Sequence, residues 1–358
     1  MTAFERLPEA IHRTDPYFVP PFPGSVVKIF SPTSPYQRHG ELLAFLARDK
    51  SGQPVGRIAA IVNGGHNAYY NDRVAFFGYF DFIDDPAVSR ALFDHARQAL
   101  KEKGFDTLRG PYNPTVNDEV GLLVDGFDSS PFIMMPYNPR YYLAHYEALG
   151  LPRARDLYAY LIDHGQPPDR ILKICERVRR MTGLTLRPIN LKRLDDELKI
   201  IQKLYNETLD RNWGFVPLSL DDLQFAANDL KSIVDPEMVI IAERGGAPVG
   251  FSMTLPNINE ILYRTRGRST LMRFLIFVWG LKVKRPKGAR LAVLGVLPEF
   301  RGTGVPALFF AESLIRGSRK FTSGELSWVE ETNREIIKGI DMMRARQYKT
   351  YRLFELPL

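Results

Sequence analysis

Between residues 291 and 310 the chain reads LAVLGVLPEFRGTGVPALFF. An apolar run ends at Leu297, a turn carries Arg301, Gly302, Thr303 and Gly304, and a second apolar run begins at Val305. These are the parts of an anion-binding turn. A strand delivers the chain, glycines let the backbone come close to a ligand, and helix N-terminal amides meet it at the positive end of the helix dipole. Pro306 suits the first turn of that helix, where a missing N–H costs little, and Arg301 adds positive charge. No Walker lysine follows the turn, which argues against a P-loop nucleotidase. No Gly-x-Gly-x-x-Gly is present, which argues against a dinucleotide fold.

Groups for proton transfer are sparse. All six histidines, His12, His39, His66, His95, His145 and His164, lie in the first half, so a histidine-assisted nucleophile is excluded from the half that carries the turn. The single cysteine, Cys175, forms no internal disulfide, cannot build a four-cysteine zinc site and fits a reducing compartment. No metal is expected. A carboxylate accepts a proton from an amine directly or through water. Glu330 and Glu331 end the stretch Glu325 to Glu330, which reads as a strand, and are the candidate bases. As acids at the start of a helix they equally suit its dipole. Asn333 reads either as a helix cap or as a ligand contact.

The stretch Val296 to Gly304 resembles motif A of the GNAT acyltransferase superfamily, a strand followed by (Arg/Gln)-x-x-Gly-x-(Gly/Ala). Arg301 and Gly304 match. Pro306 occupies the last small position and has no N–H to give. The resemblance implies that Val296, Leu297, Arg301, Gly302, Thr303, Gly304, Val305 and Asn333 hold acyl-CoA as co-substrate. The tail follows the order of the GNAT C-terminal half: a strand to Glu330, a helix from about 331 to 343, and a closing strand from Tyr348. GNATs often place a general-acid tyrosine on that helix. Here the position falls on Ile340 or Met343, neither of which donates a proton, and Tyr348 or Tyr351 is the substitute. The catalytic set is then Glu330, Glu331 and Tyr348. Asn212, Trp213 and Phe215 fall where GNATs cap the acceptor site. Met134 and Tyr137, in the apolar stretch 131–142, suit a pocket for a flexible apolar group or an interdomain core.

The elements repeat. Leu42 to Arg48, a polar turn, Pro54-Val55-Gly56 and Ile58 to Val62 read as a hairpin, and so do Met238 to Arg244, Gly245-Gly246 and Pro248-Val249-Gly250 with the strand that follows. Val74 to Phe80 resembles Leu291 to Leu297, and each precedes a helix containing Ala-Leu-Phe, at Ala91 to Phe93 and at Ala307 to Phe309. Repetition in this order argues for a duplicated domain. The first copy has no glycine turn. It has Asp81, Asp84 and Asp85 where a pyrophosphate would lie, and like charges repel. The expected organisation is a Pro/aromatic arm (1–40), a degenerate GNAT-like domain (41–165), a linker helix (166–183) and a GNAT domain with the acyl-CoA site (184–358). The fold class is α/β (α+β), each domain a mixed, mostly antiparallel sheet flanked by helices.

The chain has 358 residues and a net charge of +7, which favours acidic partners. Nine Arg or Lys residues and no acid fall between Ile261 and Arg290, around Phe274 to Leu281. Basic flanks around a short apolar helix with a tryptophan fit contact with a membrane surface. A buried connecting helix with solvated ends is the plainer reading. The apolar centre argues against nucleic acid. No segment has the ~20 apolar residues of a spanning helix, and the start of the chain lacks an apolar signal core. The expected location is cytoplasmic, with peripheral contact at the inner membrane surface through 261–290.

The layout resembles a bacterial tandem-GNAT group, and bacterial ceramide synthases look similar in design. This implies an acyl-CoA-dependent N-acyltransferase acting on a primary amine, favouring a long acyl chain and a lipid-like, sphingoid-type amine. Two alternatives stay open: an aminoacyl-tRNA-dependent tandem-GNAT transferase, and a non-catalytic protein that keeps the fold.

Overall fold

Both hairpins form, and each is followed by the same strand, helix and parallel strand. The computed structural model describes residues 1–163 and 165–358, so His164 lies outside the described residues. Helices α1 (Thr2–Ile11), α2 (Ser25–Ile29) and α3 (Tyr36–His39) lead into β1 (Gly40–Arg48), β2 (Pro54–Asn63), α4 (Gly64–Tyr70), β3 (Val74–Phe82), α5 (Pro86–Glu102) and β4 (Thr107–Gly110). Short strands β5 (Tyr112–Asn113), β6 (Glu119–Val120) and β7 (Leu122–Asp125), then α6 (Tyr141–Ala148) and β8 (Arg153–Asp163), complete the first half. The second half runs α7 (Asp169–Thr182), β9 (Leu184–Pro188), α8 (Leu194–Thr208), α9 (Leu220–Leu230), β10 (Val239–Arg244), β11 (Ala247–Pro256), α10 (Asn259–Tyr263) and α11 (Thr270–Lys282). It ends with β12 (Gly288–Val296), α12 (Val305–Gly317), β13 (Ser323–Glu330), α13 (Arg334–Met342) and β14 (Arg346–Pro357).

Contacts divide the chain into two compact units. Unit 1 holds Met1–Leu157, Ile261–Trp279 and Lys349–Leu358, and unit 2 holds Tyr158–Glu260 and Gly280–Tyr348. Within unit 1, β1, β2 and β3 are antiparallel neighbours, β4 lies parallel to β3, and β14 runs antiparallel to β4. Its core is aromatic: Phe77, Phe80, Phe82 and Phe93 pack with Tyr142 and Tyr146. Helix α5 contributes Leu92, Phe93, Ala96 and Leu100 at the three- and four-residue spacing of one buried face. Residues 12–24 form neither helix nor strand, as the prolines there dictate. The arm is fastened by Phe4, which is buried against Phe30 and Tyr79.

Unit 2 repeats the arrangement: β9, β10, β11 and β12 are antiparallel neighbours and β13 lies parallel to β12. Leu308, Phe309, Phe310 and Leu314 of α12 form the centre of its core. Helix α7 packs Ile171, Cys175 and Val178 onto α12 rather than standing free as a connector. Ile340 and Met343 are also buried there.

Candidate active site

Strand β12 delivers the glycine turn. It lies between β11 and β13, yet Leu291 to Leu294 are only half-buried. The reason is in the pairing. The parallel ladder between β12 and β13 runs from Gly288/Ser323 to Leu291/Leu326 and stops, while β12 continues to Val296 and β13 to Glu330. Beyond Leu291 the strands part into a wedge. At the same point β12 carries a bulge: Thr254 pairs Leu291, Met253 pairs Val293, and Ala292 is the extra residue. The bulge explains why Leu291 and Leu294, three apart, both pack on the α12 core.

At the far end of β12, at a rise of ~3.3 Å per residue, roughly 13 Å separates Ala292 from Val296. The turn then takes Gly302 to φ +71° and Gly304 to φ +86°, left-handed conformations that favour glycine. Gly304 is the N-cap of α12, and no side chain caps that helix. Pro306 brings no N–H to that helix start, and the Ala307 N–H donates to the Gly304 carbonyl at 3.0 Å, so an anion would be met by the turn and the positive end of the helix dipole. Gly302 N–H donates to the Glu335 carboxylate at 3.0 Å, so the amide already meets an anion. The Arg301 side chain faces elsewhere. It donates to the Thr208 carbonyl at the end of α8 (3.0 Å) and to Asp210 (3.1 Å), an interaction suited to a helix C-terminus. Thr303 Oγ1 donates to the Phe300 carbonyl. Val305 is fully buried, Val296 is buried and Leu297 is half-buried. Asn333 is the cap of α13, accepting from Ile336 N–H.

Buried polar groups cluster where the wedge closes. Arg290 and Glu325 are register partners on β12 and β13, and the Glu325 side chain is 0% exposed. Arg290 Nε donates to Ser327 Oγ at 2.7 Å and lies 3.7 Å from Glu325 Oε1. Arg290 Nη2 donates to the Ser327 carbonyl at 3.1 Å. The Ser327 hydroxyl donates to Glu325 Oε1, and the Tyr348 hydroxyl donates to Glu325 Oε2. A buried charge requires this degree of satisfaction. Tyr348, one of the expected catalytic groups, is thus half-buried with its proton directed at a carboxylate. Sequence reasoning missed Arg290, Glu325 and Ser327. The signal was a lone Arg in GARLAVLGV and the earlier of two Glu residues in SGELSWVE, each the third residue of its strand.

The other expected residues are dispersed. Glu330 and Glu331 are half-buried beyond the end of the ladder, and Glu330 accepts from Thr332 Oγ1 at 2.8 Å. Tyr351 is fully buried in unit 1. Ile340 and Met343, at the position of the usual helix tyrosine, are core residues. Phe215 stacks on Tyr205 in a small core, while Asn212 and Trp213 beside it are half-buried in unit 2. Met134 and Tyr137 belong to unit 1, where the Tyr137 hydroxyl donates to Asp15 at 2.8 Å. Burial pushes the Cys175 thiol up to about 11, which keeps it neutral and unreactive. No group of His, Cys, Asp and Glu suited to a metal ion occurs among the described residues.

Unit 1 shows what the repeat became. The Asp85 carboxylate caps α5, accepting from Ala87 N–H at 2.8 Å, so the chain's own anion meets that helix N-terminus. The ladder between β3 and β4 ends at Phe76/Arg109, but here the following residues fill the gap. Asn113 Oδ1 accepts from Tyr79 N–H at 2.6 Å, and Tyr112 lies so close to Gly78 that any Cβ would collide with its carbonyl. Asp81 is tied to Arg57 at 2.7 Å and Asp84 to His145 at 2.9 Å.

No protein-family model matches the chain. It is 34% identical to Protein YghO of Escherichia coli K12, over 99% of this chain and 92% of that one. It is 32% identical to a bacterial ceramide synthase of Caulobacter vibrioides, over 99% and 94%. Among solved structures, it is similar to a tandem GNAT protein from the clavulanic acid biosynthesis pathway, with TM-score 0.57 at 15% identity over 99% of this chain and 94% of that one. A GCN5-related N-acetyltransferase from Sphaerobacter thermophilus gives TM-score 0.54 at 13% identity over 99% and 91%. At these identities the solved structures establish the fold, a tandem GNAT arrangement.

Proposed function

The chain belongs to the family of bacterial tandem-GNAT proteins that contains YghO and the bacterial ceramide synthase, and on that premise we propose that it is an acyl-CoA-dependent N-acyltransferase. The observation that supports this best is the wedge between β12 and β13, with the glycine turn at its mouth and the Arg290–Glu325–Ser327–Tyr348 cluster where it closes. The half-buried apolar residues Leu291 to Leu294 suit a pantetheine arm. The glycine turn and the positive end of the α12 dipole suit a pyrophosphate. Two adjustments are required: Glu335 must release Gly302 N–H, and the Arg301 side chain contributes through the turn it braces rather than by touching phosphate. Unit 1, with its wedge filled and its helix capped, takes no acyl-CoA.

In the reaction a C–N bond forms between the acyl carbon and a neutral amine, and the C–S bond to the coenzyme breaks. The amine loses one proton and the leaving thiolate gains one. Glu325 is too deeply buried to meet an amine itself. The Tyr348 hydroxyl can accept the amine proton while passing its own to Glu325, and the same pair returns a proton to the thiolate. Arg290, 3.7 Å from Glu325 Oε1, is the buried counter-charge to that carboxylate. We assign stabilisation of the developing oxyanion to a backbone N–H at the Ala292 bulge. Glu330 and Glu331 remain as an alternative base at the wedge mouth. The likeness to a ceramide synthase supports a long-chain acyl group and a lipid-like amine as substrates. Trp213, Asn212 and Phe215 are assigned to the acceptor side of unit 2, and Met134 and Tyr137 to an apolar surface of unit 1. We place the protein in the cytoplasm, at the inner membrane face.

The test is calorimetric titration with acetyl-CoA and palmitoyl-CoA, on wild type and on Thr303→Glu. Thr303 is exposed and has φ below zero, so this change adds charge at the turn without the strain of replacing a glycine. Binding that Thr303→Glu abolishes supports the reading, and the tighter ligand sets the acyl class. No binding of either ligand by wild type overturns it in favour of a tRNA-dependent or non-catalytic protein.

A further inference from the structure

Helix α11 is not a buried connector. Leu271 is 69% exposed, Phe274 59% and Leu275 51%, with Met272 and Trp279 also exposed. Leu271, Leu275 and Trp279 follow at four-residue spacing, so these side chains form one outward stripe. The opposite face is fixed in unit 1. Arg273 forms an ion pair with Glu9, and Phe277 is buried edge-on against Phe22 at 5.0 Å between ring centroids. Just before the helix, Arg266 donates to the carbonyls of Arg13 and Asp15. The stripe is therefore preformed and held outward. An apolar face this size is uncommon on a protein surface without a partner.

The charges identify the partner. Arg264 and Arg268 before the helix, and Lys282, Lys284, Arg285 and Lys287 at and after its end, are exposed, with no acid between Ile261 and Arg290. The helix has 13 residues, a length of about 20 Å, too short for a hydrocarbon core of ~30 Å. No helix among the described residues is long and apolar enough to cross a membrane. A short apolar stripe with an interfacial tryptophan and basic residues at both ends suits a position in the plane of a bilayer surface, its cations at anionic headgroups.

We propose that the outward face of α11 docks on the surface of an anionic lipid bilayer. The proposal deepens the placement at the inner membrane face and is independent of the acyl-transfer chemistry, because its test contains neither coenzyme nor amine. The experiment is cosedimentation of the full chain with phosphatidylcholine vesicles, with and without phosphatidylglycerol. Wild type is expected to bind the anionic vesicles, less so as salt rises, with a blue shift of tryptophan emission that Trp279→Phe removes. The double change Phe274→Glu with Leu275→Glu is expected to weaken binding by about ten-fold or more while leaving the unfolding midpoint unchanged, since both side chains are exposed. The double change Lys284→Glu with Arg285→Glu should lower the affinity and flatten its salt dependence. Failure of wild type to bind anionic vesicles, or unimpaired binding by the apolar variant, overturns the proposal. So does a wild-type dimer that ignores vesicles and becomes monomeric in the Phe274→Glu, Leu275→Glu variant, because a second copy would then cover the stripe.

Discussion

Tyr348 and Glu325 are the residues on which the proposed chemistry turns. Tyr348→Phe keeps the ring and removes only the proton path. Steady-state kinetics should show kcat lower by about 100-fold or more with KM for acyl-CoA little changed. An unchanged kcat would return the role to Glu330 or Glu331. Glu325→Gln breaks the buried pair with Arg290 and should in addition cost about 3 kcal/mol of stability in denaturant unfolding. Cys175 provides the contrast of a group kept out of chemistry. With its thiol raised by burial to about 11, the native protein at pH 8 should react with a thiol reagent far more slowly than the denatured protein, whose thiol has its ordinary pKa near 8.5. Rapid labelling of the native chain would show that α7 opens away from α12.

At the scale of elements, the site is a turn, a helix N-terminus and two strands that part. The turn depends on its glycines unequally. A Cβ at Gly302 meets open space, so Gly302→Ala carries only the left-handed backbone penalty, about 1 kcal/mol. A Cβ at Gly304 would stand 3.1 Å from Val178 Cγ2 and 3.4 Å from Ile174 Cγ2 on α7. Gly304→Ala should therefore cost more, about 2 kcal/mol, as read by urea unfolding. Equal costs would mean that α7 yields. The turn, the strand before it and the helix after it were legible in the sequence, because a run of apolar residues broken by RGTG leaves few local alternatives. The wedge was not. Whether two parallel strands stay paired for four residues or eight depends on a bulge at Ala292 and on what packs behind it, neither of which one strand's sequence records.

At the scale of the molecule, two units built on one plan differ in what fills the corresponding gap. Unit 1 closes its wedge with Tyr112 and Asn113 and caps its helix with Asp85, whereas the corresponding helix of unit 2 begins at an uncapped glycine. Titration should accordingly give one acyl-CoA per chain. A stoichiometry of two would require unit 1 to expel its own residues and would overturn its assignment as a degenerate copy. The duplication was visible in the order of hairpin, strand and Ala-Leu-Phe helix, and the absence of glycines marked the first copy as different. That Asn113 itself supplies the blocking oxygen emerges only when β4 and β3 lie side by side.

The sequence by itself determined the tandem GNAT plan, the glycine turn between strand and helix and the basic, apolar character of residues 261–290. Each of these rests on local pattern: periodicity, glycine placement and charge within a few residues of each other. The tertiary structure decided the rest. It turned Arg301 toward the end of α8, made Asn333 a cap, and buried Ile340 and Met343. It joined Arg290 to Glu325 across 35 positions of sequence and showed that the apolar side of α11 faces out. Those outcomes depend on which surfaces meet, and a side chain's partner across the fold is set by the packing of whole elements rather than by its neighbours in the chain.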